Sequence, residues 1–112
     1  MIFILHTEGE LYVRPTYNDI PEDRKVPCTR VIMPYLRIIC DGSYTAMPCL
    51  AYVDPYIDTI YNRLQAPAIL GQWLRLYELS WEEQDLDTLK RVERLIERCR
   101  DERGMYLRFM AD

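Results

Sequence analysis

Residues 80–104 carry the pattern that most constrains how this chain can fold. Leu86, Leu89, Val92, Leu95, Ile96 and Cys99 recur at the three-and-four spacing of one helix face. Ser80-Trp81-Glu82-Glu83 has the form of a capping box, with the serine hydroxyl serving an early amide and Glu83 reaching back. Glu82, Glu83, Asp85 and Asp87 crowd the first turns and Arg98, Arg100 and Arg103 the last, as the helix dipole favours. Gly104 supplies the stop, and Met105 to Met110 then read as a terminal strand that can return to a sheet.

Two shorter helices are expected before it. Asp54 and Pro55 form an N-cap and N1 pair for a helix over 55–65, whose stripe is Ile57, Ile60, Tyr61 and Leu64. Pro67 ends that helix and opens a second over 68–79, with Ile69, Leu70, Trp73, Leu74 and Tyr77 on one side. The first half of the chain reads as strands. Ile2–Thr7 and Glu10–Arg14 fold about Glu8-Gly9, with Gly9 at positive φ, His6 facing Leu11 and Ile4 facing Val13. Residues 15–29, with Pro15, Pro21 and Pro27, form a long loop with one helical turn after Pro21. Asp41-Gly42 marks a type I′ hairpin between Arg30–Cys40 and Ser43–Val53, a register that brings Pro34 and Pro48 together at its open end. The expected fold is α+β: an antiparallel sheet from two N-terminal hairpins plus a C-terminal strand, packed against three C-terminal helices. Residues 1–112 form one domain in this reading: strands and a Pro-rich loop over 1–53, helices over 54–103, and the last strand over 105–110.

Composition narrows the classes of function. Fourteen basic and eighteen acidic residues leave a net charge of −4, against any non-specific grip on nucleic acid or anionic lipid. No apolar run approaches the roughly 20 residues of a membrane span. The opening Met1–His6 is too short for a signal peptide and lacks its basic flank, so a cytoplasmic setting with reduced thiols is expected. Cys28, Cys40, Cys49 and Cys99 lie 12, 9 and 50 residues apart, far from the two-to-four spacing of zinc ligands. The hairpin register also holds Cys40 and Cys49 roughly 20 Å apart, too far for a shared ion or a disulfide. Cys99 reads as a small hydrophobe on the helix face. No metal and no cofactor is expected.

The groups that could carry chemistry are few. His6 is the sole imidazole, placed on an apolar strand face where a structural role is favoured over catalysis. Ser43 sits in a tight turn and Ser80 in a cap, and neither belongs to a nucleophile elbow. Asp54 and Asp58, one turn apart on the first expected helix, could share a proton or hold Mg²⁺, but capping and the helix dipole already account for them. Arg91, Arg94 and Arg98 form a stripe on the solvent side of the last helix, as a nucleic-acid helix would present. Asp87 and Asp101 share that stripe, and pairs such as Asp87–Arg91 and Glu97–Arg100 are expected to neutralise it.

The tyrosines point elsewhere. Nine tyrosines against two phenylalanines suit half-buried surfaces and interfaces. In the second hairpin Tyr35, Arg37, Ile39 and Tyr44 share one face, a composition enriched in binding hot spots. The leading expectation is therefore a small acidic accessory protein acting by protein–protein contact, either by self-association or on a larger partner. Its size suits a virus- or plasmid-encoded factor. Nucleic-acid binding through Arg91, Arg94 and Arg98 is the second reading, and a small enzyme using Asp54/Asp58 or His6 the third.

Overall fold

The computed structural model describes residues 2–13, 16–27, 32–38, 50, 53 and 58–110. In chain order it contains β1 (Ile2–Thr7), α1 (Glu8–Val13), 3₁₀ turns at Tyr17–Asp19 and Glu22–Arg24, β2 (Lys25–Pro27), and α2 (Met33–Ile38). Then come β3 (Thr59–Tyr61), α3 (Ala66–Leu74) with a 3₁₀ extension Arg75–Glu78, α4 (Glu83–Asp101) and β4 (Met105–Met110). The strands pair antiparallel in the order β2-β1-β4-β3, so the architecture is α+β with the C-terminal strand inside the sheet.

Strand alternation divides the sheet into two faces. Phe3 and Leu5, with Val26, Leu107, Phe109 and Tyr61 beside them, belong to the main core with α3 and α4. From the helices come Ile69, Trp73 and Leu76, then Leu89, Val92, Leu95, Ile96 and Cys99. The α4 stripe is buried as its spacing requires, with Leu86 packed at its edge. Trp73 is the keystone. Its ring meets Phe3 edge-on at 5.4 Å, and its Nε1 donates to the Leu89 carbonyl at 3.0 Å. Phe3 in turn meets Phe109 at 4.2 Å.

Several local expectations are corrected. Residues 8–13 form α1 instead of the second strand of a hairpin, because Thr7 and Glu10 close a capping box. The Thr7 amide donates to Glu10 Oε1 at 2.8 Å and the Glu10 amide to Thr7 Oγ1 at 3.3 Å. Gly9 is therefore helical, and β1 pairs with β4, so that His6 faces Tyr106 and Ile4 faces Arg108. The turn after Pro21 is present, but the expected loop also contains β2.

Over 33–38 the strand expected from the Asp41-Gly42 signal is instead the helix α2. Pro34 fits the first turn of a helix, where a missing amide hydrogen costs nothing, and Ile32 and Leu36, four apart, are both buried. The Asp41-Gly42 turn itself lies outside the described residues. The helix expected over 55–65 is absent over 58–65. Thr59-Ile60-Tyr61 is β-branched and aromatic and pairs with β4, after which Asn62 and Gln65 exchange side-chain-to-backbone bonds of 2.9 and 3.0 Å at the approach to α3. Pro67 opens α3 as expected.

The expected Ser80 cap is not made. Trp81 donates its Nε1 to the Leu76 carbonyl at 2.6 Å, which ties it to the preceding turn, and α4 begins after Glu82. Its far end follows the sequence: the Glu102 amide bonds the Arg98 carbonyl at 2.8 Å, and Gly104 turns the chain at φ +73°.

Candidate binding groove

The exposed side of α4 presents Arg91, Arg94 and Arg98, spaced so that they fall along one stripe. Opposite them run the Glu22–Arg24 turn and β2, and between lies a groove of about 460 Å³. The nearly buried Val26 and Leu95 side chains line it, with Glu22, Asp23 and Lys25 on the side facing the arginines.

The cations are held unequally. Arg98 Nε donates to Glu102 Oε2 at 2.6 Å, and its Nη1 donates to the Asp23 carbonyl at 2.9 Å and to Asp23 Oδ2 at 3.5 Å. The Glu102 bond, with Asp23 adding to it, holds the guanidinium pKa above its usual value. Lys25 is buried on its stem. Its Nζ donates to the Tyr17 carbonyl at 3.0 Å, lies 4.1 Å over the Tyr17 ring and pairs with Glu22 at 3.2 Å. Arg91 and Arg94 are exposed, and among the described residues neither has an ion pair or a hydrogen bond. The expected neutralising pairs Asp87–Arg91 and Glu97–Arg100 are not formed: Arg100 instead bonds its neighbour Asp101 at 2.7 Å. A pair at helical spacing gains only a few tenths of a kcal/mol, so local geometry decides whether it forms: Arg98–Glu102 closes and Asp87–Arg91 does not.

The other candidate residues do not assemble a reactive site among the described residues. Tyr35 lies on α2, half-buried, with its ring 4.9 Å from Trp81. Arg37 belongs to the same helix, while Ile39 and Tyr44 lie outside the described residues, so the predicted tyrosine sheet face is not present over 33–38. Asp58 precedes β3 and is bound by Arg108, with Nε donating to Oδ2 at 2.8 Å; Asp54 lies outside the described residues. The one-turn spacing assumed for the two carboxylates has no helix to impose it at Asp58.

Cys99 is buried, its Sγ 3.7 Å from the Met105 carbonyl, and burial pushes its thiol up to about 11. Cys28, Cys40 and Cys49 lie outside the described residues. No group of three or more His, Cys, Asp or Glu suited to a metal occurs among the described residues, and none of their helices is long and apolar enough to cross a membrane.

His6 is fully buried on the sheet face opposite α3 and α4, and among the described residues neither ring nitrogen has a hydrogen-bond partner. Burial lowers its pKa first; Arg108 and Arg24 lower it further, against the pull of Glu10. Beside it Arg24 Nη1 bonds Glu10 Oε1 at 2.5 Å. Burial opposes ionisation of Glu10, yet Arg24 and Thr7 bring its carboxyl down to about 2. With Glu10 tied to Arg24 and neither ring nitrogen bonded among the described residues, the imidazole sits as part of the packed interior.

The geometry thus defines an α+β protein whose described surface includes a groove with two arginines that have no counter-ion among the described residues. No protein-family model, curated protein or solved structure significantly matches the chain.

Proposed function

We propose that the chain is a small interaction module acting in the cytoplasm by contact with another protein, and that the groove between α4 and β2 is its contact surface. The observation that supports this is the state of Arg91 and Arg94. In a chain of net charge −4 they stand exposed with no counter-ion among the described residues, beside an apolar floor. Two guanidiniums held along one helix face suit carboxylates, which they bind through paired N–H donors.

Nucleic-acid binding through Arg91, Arg94 and Arg98 is the second reading, favoured by the same exposed stripe. It is weaker because the chain carries a net charge of −4 and Arg98 is already engaged, which leaves only two free cations among the described residues of the groove for a continuous phosphate backbone. Selection of random displayed peptides on the immobilised protein, with an Arg91→Glu/Arg94→Glu variant as counter-target, tests the proposal. Enrichment of Asp- and Glu-rich peptides on the wild type alone is the expected result. A pool without acidic bias, or one retained equally by the variant, overturns it. Steeply salt-dependent retention of oligonucleotides in place of peptides transfers the groove to the second reading.

A further inference from the structure

The groove is already partly occupied by the chain's own carboxylates. Asp23, 75 residues before Arg98 in sequence, sends Oδ2 to its Nη1 at 3.5 Å, while its backbone carbonyl takes the shorter bond at 2.9 Å. Glu22 does the same for Lys25 from the neighbouring position. Both acids are well exposed, with side chains 73% and 88% accessible, so neither contact is walled off from an incoming ligand.

We propose that the groove takes an acidic segment of a partner protein, which sets two carboxylates on Arg91 and Arg94 and a third on Arg98 in place of the Asp23 side chain. This rests on the reading of the groove given above and adds to it the ligand chemistry and a built-in competitor. Charge complementarity argues for the occupant: the free positions are both arginines, and the occupied ones already hold carboxylates. Arg91 and Arg98 are seven residues apart, about 10 Å along the helix axis. An extended segment covers that distance in about three residues, so acids near positions one and four reach the two ends. Asp23 then acts as a weak internal ligand. Its side chain gives way while its carbonyl keeps Arg98 and the 22–24 turn in place, and the groove keeps its shape when the partner leaves.

The test is fluorescence anisotropy with a labelled Glu/Ser peptide, and an oligonucleotide of matched charge as the second probe. Wild type, Asp23→Asn and Arg91→Glu/Arg94→Glu proteins are compared at low salt. Every substituted side chain is at least partly exposed, and circular dichroism verifies that each variant is folded. Asp23→Asn should bind the peptide about two- to five-fold more tightly, the range an exposed ion pair can return, and the double variant should lose binding. Unchanged affinity in Asp23→Asn, with binding lost in the double variant, overturns the internal-competitor inference and leaves the groove standing. Equal binding by all three proteins, or no peptide binding by any, removes the groove as well. Tighter binding of the oligonucleotide overturns the assignment of the partner's chemistry.

Discussion

His6→Leu should make this protein more stable, although it removes a fully buried side chain. The imidazole is 0% exposed and both its nitrogens lack partners among the described residues, so folding strips water from two polar atoms and those residues return nothing to them. A buried unsatisfied polar group costs about 1–3 kcal/mol, and leucine is close to histidine in volume and carries no such cost. At pH 7.5 the variant should therefore gain about 1–3 kcal/mol. The effect grows in acid. Burial holds the folded-state pKa below the ordinary imidazole value of 6.5, so the unfolded chain takes up a proton first. Wild-type stability from this residue is complete above pH 6.5 and falls as pH drops toward the folded pKa. The loss widens as the pH falls below 6.5, because the unfolded imidazole takes up its proton before the folded one. Glu10 titrates near 2 and stays ionised over this window, so it does not blur the comparison. For 112 residues the unfolding entropy is about 0.24 kcal/mol/K, making each kcal/mol worth about 4 °C. Tm should rise by about 4–12 °C at pH 7.5 and by more at pH 5. Urea unfolding followed by tryptophan fluorescence gives the free energies at both pH values, and thermal unfolding gives Tm. A variant less stable than wild type at pH 7.5, or a difference that does not widen on acidification, refutes the reasoning and means the imidazole is bonded in solution.

Two further substitutions probe the frame that carries the groove. Trp73→Phe removes the bond to the Leu89 carbonyl and part of the ring that meets Phe3, and should cost about 2–3 kcal/mol in urea unfolding, with Trp81 left as the probe; a loss below about 1 kcal/mol contradicts the packing. Gly104→Ala meets no steric neighbour but must hold φ +73°, so it should cost about 1–2 kcal/mol from backbone strain alone, with Gly104→Asn recovering part of it; equal stability of all three proteins contradicts the turn.

The parts of the fold legible in the sequence were those signalled by more than one feature. The α4 stripe agreed with its acid-to-base gradient and with Gly104, and β4 followed because Met105, Leu107 and Phe109 alternate and all are buried. Its place inside the sheet was not written locally. Where a single signal was read, competition decided. Ile32 and Leu36 are four apart, a spacing that serves a period of two as well as a helical turn, and the nearby Asp-Gly pair tipped the reading toward strand. The capping motifs show the same competition. Thr7/Glu10 and Asn62/Gln65 close reciprocal bonds across three residues, and each redirects a segment assigned otherwise. Ser80/Glu83 has the same form but does not close, because the Trp81 indole is tied to the Leu76 carbonyl and holds the chain out of the helix. A capping motif states which bonds are possible; the chain around it decides which are made.

The candidate groove divides along the same line. Spacing alone placed Arg91, Arg94 and Arg98 on one face of α4, and the structure keeps them there. Their counter-ions could not be read the same way. A helical wheel offers Asp87 to Arg91, but such a pair is worth only a few tenths of a kcal/mol in water and is not formed. Arg98 is engaged by Glu102 one turn on, and also by Asp23, from the turn that precedes β2. Asp23 is invisible to any local pattern because the fold, not the spacing, delivers it. The charge available on a surface helix is thus set by which arginines the rest of the chain, near and distant, has already occupied. On α4 it has occupied Arg98 and left Arg91 and Arg94, so those two should carry the salt-sensitive part of any binding and Arg98 the part that depends on displacing Asp23.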